Sequence, residues 1–446
     1  MFRRPSLESS RRHQIIKLAS PVILGMLSTN ILDIVDTAMV SQFGNKALAA
    51  TGFASFLFFV SFSATIGISS AVQSITSRRL GENKLDQCGL SLNAGILIIS
   101  VYFFVTGSVL MVFAPSILGF FSNDPQVNRL SVDYYLWRLP GVLALGIGFC
   151  FRGFWNGIKS PNTYTIILVL THVLNVLLNW LLIFGNLGFP SMGVKGAAIG
   201  STLALFIGMF SYIIVTKKMK SAMNALTYFP NWSQVKKVIY IGGPAALDQF
   251  LLSLFLLLMF WIFGQIGTSA AAVAHVVIMC TMILFLPSIG LGITSLSLVS
   301  ESLGKGNKKD AKQWAWDTIK AGLPYIALVG FILFCFPKPV LSIFIHDQST
   351  LKLAIFPFRI DLLMMCSVCI NIICVQSLIG AGATRFVMIF KVIFRYLILL
   401  PIVYVAVAII GKGIGVVWIL WALTDLIETI ILIIIWQRER WASINI

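Results

Sequence analysis

The sequence predicts an all-α integral membrane protein, with twelve transmembrane helices in two pseudo-symmetric six-helix lobes. Three observations carry that prediction: an apolar composition, twelve apolar runs of spanning length, and a self-similarity at half the chain length. Of 446 residues 58% are hydrophobic and 11% charged, and the mean hydropathy is +0.92. Soluble domains carry about 45–50% apolar and about 25% charged residues, so one water-facing core cannot absorb this surface and a bilayer can. The net charge of +17 would suit nucleic acid as well as membrane loops. The basic residues fall in short clusters between apolar runs, so no nucleic-acid partner is expected.

A spanning helix needs roughly 20 mostly apolar residues. Runs of that kind lie near 14–41, 48–77, 89–115, 128–157, 163–185, 194–216, 235–265, 270–302, 312–336, 352–380, 386–410 and 414–436. Arg3, Arg4, Arg11 and Arg12 precede the first run, which carries Asp33 and Asp36 and no clean cleavage signature; it reads as a membrane helix, not a signal peptide. With the amino terminus in the cytoplasm, the segments on that side hold most of the basic loop residues, among them Arg78, Arg79, Lys217, Lys218, Lys236, Lys237, Lys308 and Lys309. The opposite side holds Lys46, Arg129, Lys195, Lys338, Lys352 and Lys412. That asymmetry orients the bundle with both termini cytoplasmic, in a bacterial inner membrane.

A shift of 223 residues lays the chain on itself. Pro21 falls on Pro244, Gly44 on Gly267, Gly67 on Gly290, Leu80-Gly81 on Leu303-Gly304, and Asp124 on Asp347. Six spans per half is an even number, so the halves share one orientation, a parallel repeat as found in some secondary transporters. The domains expected are an amino-terminal lobe at 1–216, a cytoplasmic interlobe linker at 217–237 and a carboxy-terminal lobe at 238–446. One chain supplies both lobes, so a monomer is expected. A duplicated bundle leaves a cleft that rocking can open to either side.

Ionisable residues within a membrane mark function by default. The acids in or near spans are Asp33, Asp36, Asp133, Asp248, Asp361, Asp425 and Glu428; most lie near predicted helix ends, where a solvated or capping carboxylate is the plainer account. Asp33 and Asp36 stand one turn apart in the first span and share a face. The fifth span, HVLNVLLNW, carries Asn175 and Asn179 four apart, with His172 on the same face. Two amides on one face suit a polar cavity and suit interhelical glue equally well. Pro21 and Pro244 sit at matched places and bend their helices, as static kinks or as hinges. Phe and Met abound, at 34 and 14, which suits promiscuous apolar ligands and lipid contact alike.

Enzyme chemistry is not indicated. The four histidines are scattered without metal-ligand spacing, and no nucleophile elbow or P-loop occurs. Cys366 and Cys369 form a CxxC with no second pair, which reads as chance. No organic cofactor is expected, and energy would come from an ion gradient.

At LASPVILGMLSTNILDIVDTAMVSQFGNKALAATGFA the sequence resembles the multidrug and toxic compound extrusion (MATE) family. RRLGENK, FRGFWNGIKSP, NWLLIFG and QSLIGAGATR extend the resemblance over essentially the whole chain. It implies a two-lobed exporter of organic cations or amphipathic drugs, exchanged for protons or sodium. By the resemblance Asp36 is the coupling carboxylate and Pro21 the first-helix proline. Asn175 and Asn179 are the polar pair of the fifth helix, and Ser201 is the small hydroxyl of the sixth. Asp33 and Ser201 would complete the site, and Asp36, Asn175 and Asn179 could hold sodium. The resemblance is to the branch named for DNA-damage-inducible protein F, although Asn179 stands where that branch often has Asp. The norfloxacin-exporter branch carries acids on its seventh and tenth helices, where this chain reads FLLSLF and CSVCIN. A lipid or lipid-linked sugar flippase of the same superfamily is the rival. It would line its cavity with arginine, and Arg138, Arg152, Arg359 and Arg395 lie near span ends, where snorkelling accounts for them.

Overall fold

The computed structural model describes residues 9–220 and 223–444. Arg3 and Arg4 of the basic amino-terminal cluster lie outside the described residues. Every regular element among the described residues is helical. In chain order the helices are α1 (Ser9–Ser41), α2 (Asn45–Gly81), α3 (Leu90–Gly119), α4 (Pro125–Arg138), α5 (Gly141–Gly157), α6 (Pro161–Phe184) and α7 (Gly193–Lys220). There follow α8 (Trp232–Ile266), α9 (Thr268–Gly304), α10 (Lys308–Cys335), the short α11 (Pro337–Leu341), α12 (Gln348–Gly380), α13 (Thr384–Val392), α14 (Leu400–Tyr404) and α15 (Ile414–Gln437).

Eleven of the described helical segments are long and apolar enough to cross a membrane, and α4 with α5 makes a twelfth span bent by 45°. The bend falls at Leu139-Pro140. Pro140 lacks the N–H that would carry the ladder on, and it caps α5 instead. The eleventh span is continuous from α13 to α14 through π-helical turns at Ile393–Leu399 and Val405–Ile409. The lipid-facing character is plainest on α3, where Phe104, Val105, Met111 and Val112 are exposed. Apolar side chains are at home there only in hydrocarbon.

By contact the chain divides into two compact units. One is Leu24–Phe250; the other joins the chain up to Ile23 with the stretch from Leu251 on. Both divisions fall inside helices. Ile15, Leu18 and Ala19 of α1 are core residues of the second unit, alongside Phe255, Met259 and Leu291. Arg11 adds ion pairs of 2.6 Å to Asp310 and to Asp317 there and stacks on Trp314. In the first unit, Gly242 of α8 lies against Ile68 and Ala71 of α2.

The 223-residue repeat is written in the backbone. Left-handed φ recurs at Gly44 (91°) and Gly267 (141°), at Asn83 (59°) and Gly306 (75°), at Lys159 (59°) and Gly382 (92°), and at Gly188 (87°) and Gly411 (69°). Asp124 and Asp347 are both N-caps, of α4 and α12. Ser77 donates to the Gly157 carbonyl, and Ser300 donates to that of Gly380. A Cβ on Gly67 would stand 2.1 Å from the Ala246 nitrogen, and one on Gly290 would stand 2.5 Å from Ile23 Cγ1. Ala246 and Ile23 are themselves one repeat apart, each two residues past a helix-interior proline, Pro244 or Pro21.

Candidate functional site

The seam between α6 and α7 is lined by small residues on α7. A Cβ at Gly196 would strike the Leu182 carbonyl oxygen at 2.5 Å, one at Gly200 would strike Asn179 Oδ1 at 2.4 Å, and one at Gly208 would strike Thr171 Oγ1 at 2.5 Å. With the fully buried Ala204 between them, the spacing of four gives a small-residue stripe that lets two membrane helices approach closely. That approach buries Asn175, Asn179 and Ser201.

Asn179 is the centre of the group. Its Nδ2 donates to Asp36 Oδ1 at 2.8 Å and to Asn175 Oδ1 at 2.9 Å. Both amide protons are therefore used, one of them on a carboxylate of α1. The Asn179 carbonyl oxygen and the Ser201 hydroxyl are both buried without a hydrogen-bond partner. Buried polar atoms are satisfied as a rule, and an orphan calls for an explanation such as an ion or a water. One turn before the group, His172 Nδ1 meets Ser28 Oγ at 3.0 Å, and Ser28 donates to the Gly25 carbonyl. These contacts bind α1, from Ser28 to Asp36, to α6.

Of the residues singled out from the sequence, the structure brings Asp36, Asn175 and Asn179 into one hydrogen-bonded chain. Ser201 follows Gly200, the residue packed on Asn179, and makes no bond to the chain. Asp33 is exposed one turn before Asp36, and its backbone carbonyl accepts from Thr37. Pro21 and Pro244 lie inside α1 and α8. Arg138 is an addition: it acts electrostatically on both Asp33 and Asp36 and stacks on Phe58, 4.5 Å from the ring centroid. Gly200 is another, since only a residue without a Cβ leaves Asn179 in place. Asp248 is buried on α8 and belongs to the first unit; Asp361, Asp425 and Glu428 belong to the second. Among the described residues no group of three or more His, Cys, Asp or Glu is placed to hold a metal, and all seven cysteines are free.

Chemically the group offers one carboxylate, neutral oxygens from two amides and a hydroxyl, and a nearby guanidinium. It can hold a proton on Asp36. Asp36 Oδ2, Asn179 Oδ1 and Ser201 Oγ are also oxygen donors of the kind a hard monovalent cation takes.

Comparison with known proteins gives the same frame. The MatE family model matches residues 21–181 and again 244–405, one match per half. The probable multidrug resistance protein NorM of Thermotoga maritima is 26% identical over 92% of this chain and 88% of its own. The NorM of Pasteurella multocida is 24% identical, over 76% and 74%. Among solved structures, the Vibrio cholerae MATE transporter VcmN in its bent form superposes with a TM-score of 0.85 at 19% identity, covering 97% of each chain. A MOP superfamily transporter from Pyrococcus furiosus, described by the reverse polarity of its binding pocket, gives 0.85 at 18% identity over 98% of each. With its family model matched in both halves and its fold shared end to end, the chain belongs to the MatE family of membrane transporters.

Proposed function

We propose that the protein is a secondary active multidrug exporter of a bacterial inner membrane. It carries cationic or amphipathic organic compounds outward in exchange for protons, by alternating access. The observation that carries this reading is the hydrogen bond from Asn179 to Asp36, which ties α1 to α6 through a charge. A hydrogen bond to a charged acceptor is roughly twice as strong as a neutral one. Protonating Asp36 from the outer medium removes the charge, loosens the outer part of α1 from α6 and lets it bend at Pro21, displacing the bound compound. Return to the inner side releases the proton. The hinge assignment is supported by the division of α1 between compact units just past Pro21, and by the matched place of Pro244 in α8.

Sodium is the second reading, favoured by the two orphaned oxygens on Asn179 and Ser201. The NorM relatives are called multidrug resistance proteins, which supports drugs over lipids as cargo. The protein works as a monomer with both termini in the cytoplasm, with no part in covalent catalysis.

The test is efflux of a fluorescent cationic dye from liposomes holding the purified protein, under an imposed proton gradient and then a sodium gradient. Efflux driven by the proton gradient and lost in Asp36→Asn is the expected result. Efflux driven by sodium alone, and lost in Ser201→Ala, would transfer the coupling to the second reading. Dye movement unaltered in Asp36→Asn would remove Asp36 from the mechanism, and no movement under either gradient would favour the lipid-flippase rival.

A further inference from the structure

The stretch between the sixth and seventh spans is a built surface that the coupling scheme above does not use. From Lys217 to Lys237 the chain carries five lysines and no acidic residue. The part after α7, from Met223 on, is fastened to the first unit. Asn93, buried on α3, donates through Nδ2 to the Asn224 carbonyl at 2.9 Å and to that of Tyr228 at 3.1 Å. Its Oδ1 accepts from the Leu226 N–H at 2.8 Å. The Gly89 N–H donates to the Met223 carbonyl at 2.9 Å, and a Cβ at Gly89 would strike the Ala225 nitrogen at 2.3 Å. Asn224 and Leu226 take left-handed φ values of 56° and 60°, which residues with a Cβ adopt when their surroundings hold them there. At the far end Asn231 and Gln234 each accept from the other's backbone N–H, a capping box that starts α8.

Held in this way, the linker leaves three aromatic side chains bare: Tyr228, Phe229 and Trp232 are 63%, 82% and 66% exposed. Lys217 and Lys218 near the end of α7, and Lys236 and Lys237 near the start of α8, are exposed as well. None of these four has a carboxylate partner among the described residues. Lys236 Nζ lies 5.7 Å from the centroid of the Trp232 ring. The adjoining turn after α2 brings Glu82, paired with Arg79 and Lys84, and Asp86 beside Asn224, so it adds no net negative charge. Exposed apolar residues continue along both helices that leave the linker, with Ile214 and Met219 on α7 and Ile239 on α8. A soluble partner would leave that strip bare, whereas the bilayer that both helices enter covers it. Trp and Tyr settle at the membrane–water interface, and a lysine cluster beside a membrane helix attracts acidic headgroups. Interfacial docking is stable when charge and buried apolar area act together, and this surface offers both.

We propose that the linker is a docking surface for acidic phospholipid headgroups of the leaflet it faces, the cytoplasmic one in the exporter reading. The lysines take the lipid phosphates, and Phe229 and Trp232 enter the interface beneath them. Asn93 is a positioning residue: it fixes the loop so that aromatic rings and ammonium groups meet the bilayer together. The first unit is thereby moored to acidic lipid at the segment through which the chain passes from α7 to α8.

The test reads lipid binding, not dye efflux, so it can fail while the exporter reading stands, and the reverse. The purified full chain in detergent would be titrated with phosphatidylglycerol and, separately, with phosphatidylcholine, and bound lipids counted by native mass spectrometry. Tighter binding of phosphatidylglycerol, weakening as salt rises, is the expected result. A lysine at an anionic surface is worth about fivefold in affinity, so Lys236→Gln with Lys237→Gln should weaken the tightest phosphatidylglycerol site about 25-fold. Lys308→Gln with Lys309→Gln removes an exposed pair from α10 and should leave that site unchanged. Asn93→Ala keeps every lysine and should weaken it. Phe229→Ser with Trp232→Ser keeps every lysine and touches none of the fastening bonds, so it should fold and weaken the site as well. Hydrogen exchange in nanodiscs locates the effect: the amides of 226–233 should exchange more slowly in phosphatidylglycerol than in phosphatidylcholine. Equal losses from the two lysine pairs would reduce the effect to ordinary cytoplasmic charge and overturn the proposal. Binding indifferent to headgroup, full affinity in the double serine variant, or protection of the linker by inorganic phosphate without acidic lipid would each overturn it too.

Discussion

Asn179 spends both protons of its amide, one on Asp36 and one on Asn175, and it keeps that orientation because Gly200 has no side chain. A methyl group at Gly200 would sit 2.4 Å from Asn179 Oδ1, so Gly200→Ala should push the amide off Asp36. Overpacking of this kind costs about 1–3 kcal/mol. Gly208→Ala is the natural control: it meets Thr171 Oγ1 at 2.5 Å on the same seam, away from the carboxylate. Both variants should lower the melting temperature to a similar degree, and Gly200→Ala alone should abolish gradient-driven dye efflux; equal efflux from the two would detach Asn179 from coupling. Much of this group is legible in the sequence. Spacing puts Asn175 and Asn179 on one face and sets Asp33 and Asp36 side by side in the first span, and the family resemblance singles out Asp36 of the two. Arg138 and Gly200 are not legible, because what matters about them is a partner on another helix, far away in the chain. The pairing of Glu428 with Lys391 is hidden for the same reason: a buried ion pair across α13 and α15 has no local spacing to betray it.

Helix ends are more legible than helix contacts, because caps are local. The match of Asp124 with Asp347 marks equivalent turns, and the structure makes both of them N-caps. Asp124 accepts from the Gln126 N–H at 2.8 Å and pairs with Lys46 at 2.8 Å. Asp347 accepts from the Thr350 N–H at 2.8 Å and from the hydroxyls of Ser349 and Thr350. These bonds hold both carboxyls below the usual carboxylate range, the Lys46 contact leading for Asp124 and Ser349 for Asp347. A depressed folded value means the caps contribute in full above the unfolded value, about 4, and lose that contribution as pH falls through the folded values. Hydrogen exchange should therefore show the amides of Gln126 and Thr350 losing protection under acid while mid-helix amides hold. Asp124→Asn and Asp347→Asn, which cap without a charge, should flatten that dependence. The fourth span follows the same rule. Its apolar run reads as one span over 128–157, and Pro140 within it marks the bend that the structure makes, 45° between α4 and α5.

At the scale of the molecule, the equal shift of 223 residues makes the duplication plain, while the exchange of helix segments between halves could not be read. Apolar periodicity says that α1 and α8 are membrane helices and nothing about which core each end enters. In the structure the start of α1 packs into the unit that runs from Leu251, where Arg11 engages Asp310 and Asp317 and Ile23 lies against Gly290. The start of α8 packs into the unit Leu24–Phe250, where Ala246 lies against Gly67. Each six-helix half therefore lacks a segment that completes its core and carries one that belongs to the other half. Removing Arg11 would leave the buried Asp317 carboxylate without its guanidinium partner, and removing the start of α8 would bare the surface of α2 around Gly67, Ile68 and Ala71. A chain cut after residue 223 should behave accordingly. Each half expressed alone should be proteolysed within its membrane helices, while the two co-expressed should purify together and recover dye efflux. Gly67→Val, which must displace the Ala246 backbone, should weaken that reassembly; a stable, protease-resistant half obtained alone would show that the exchanged segments are dispensable to the core they enter.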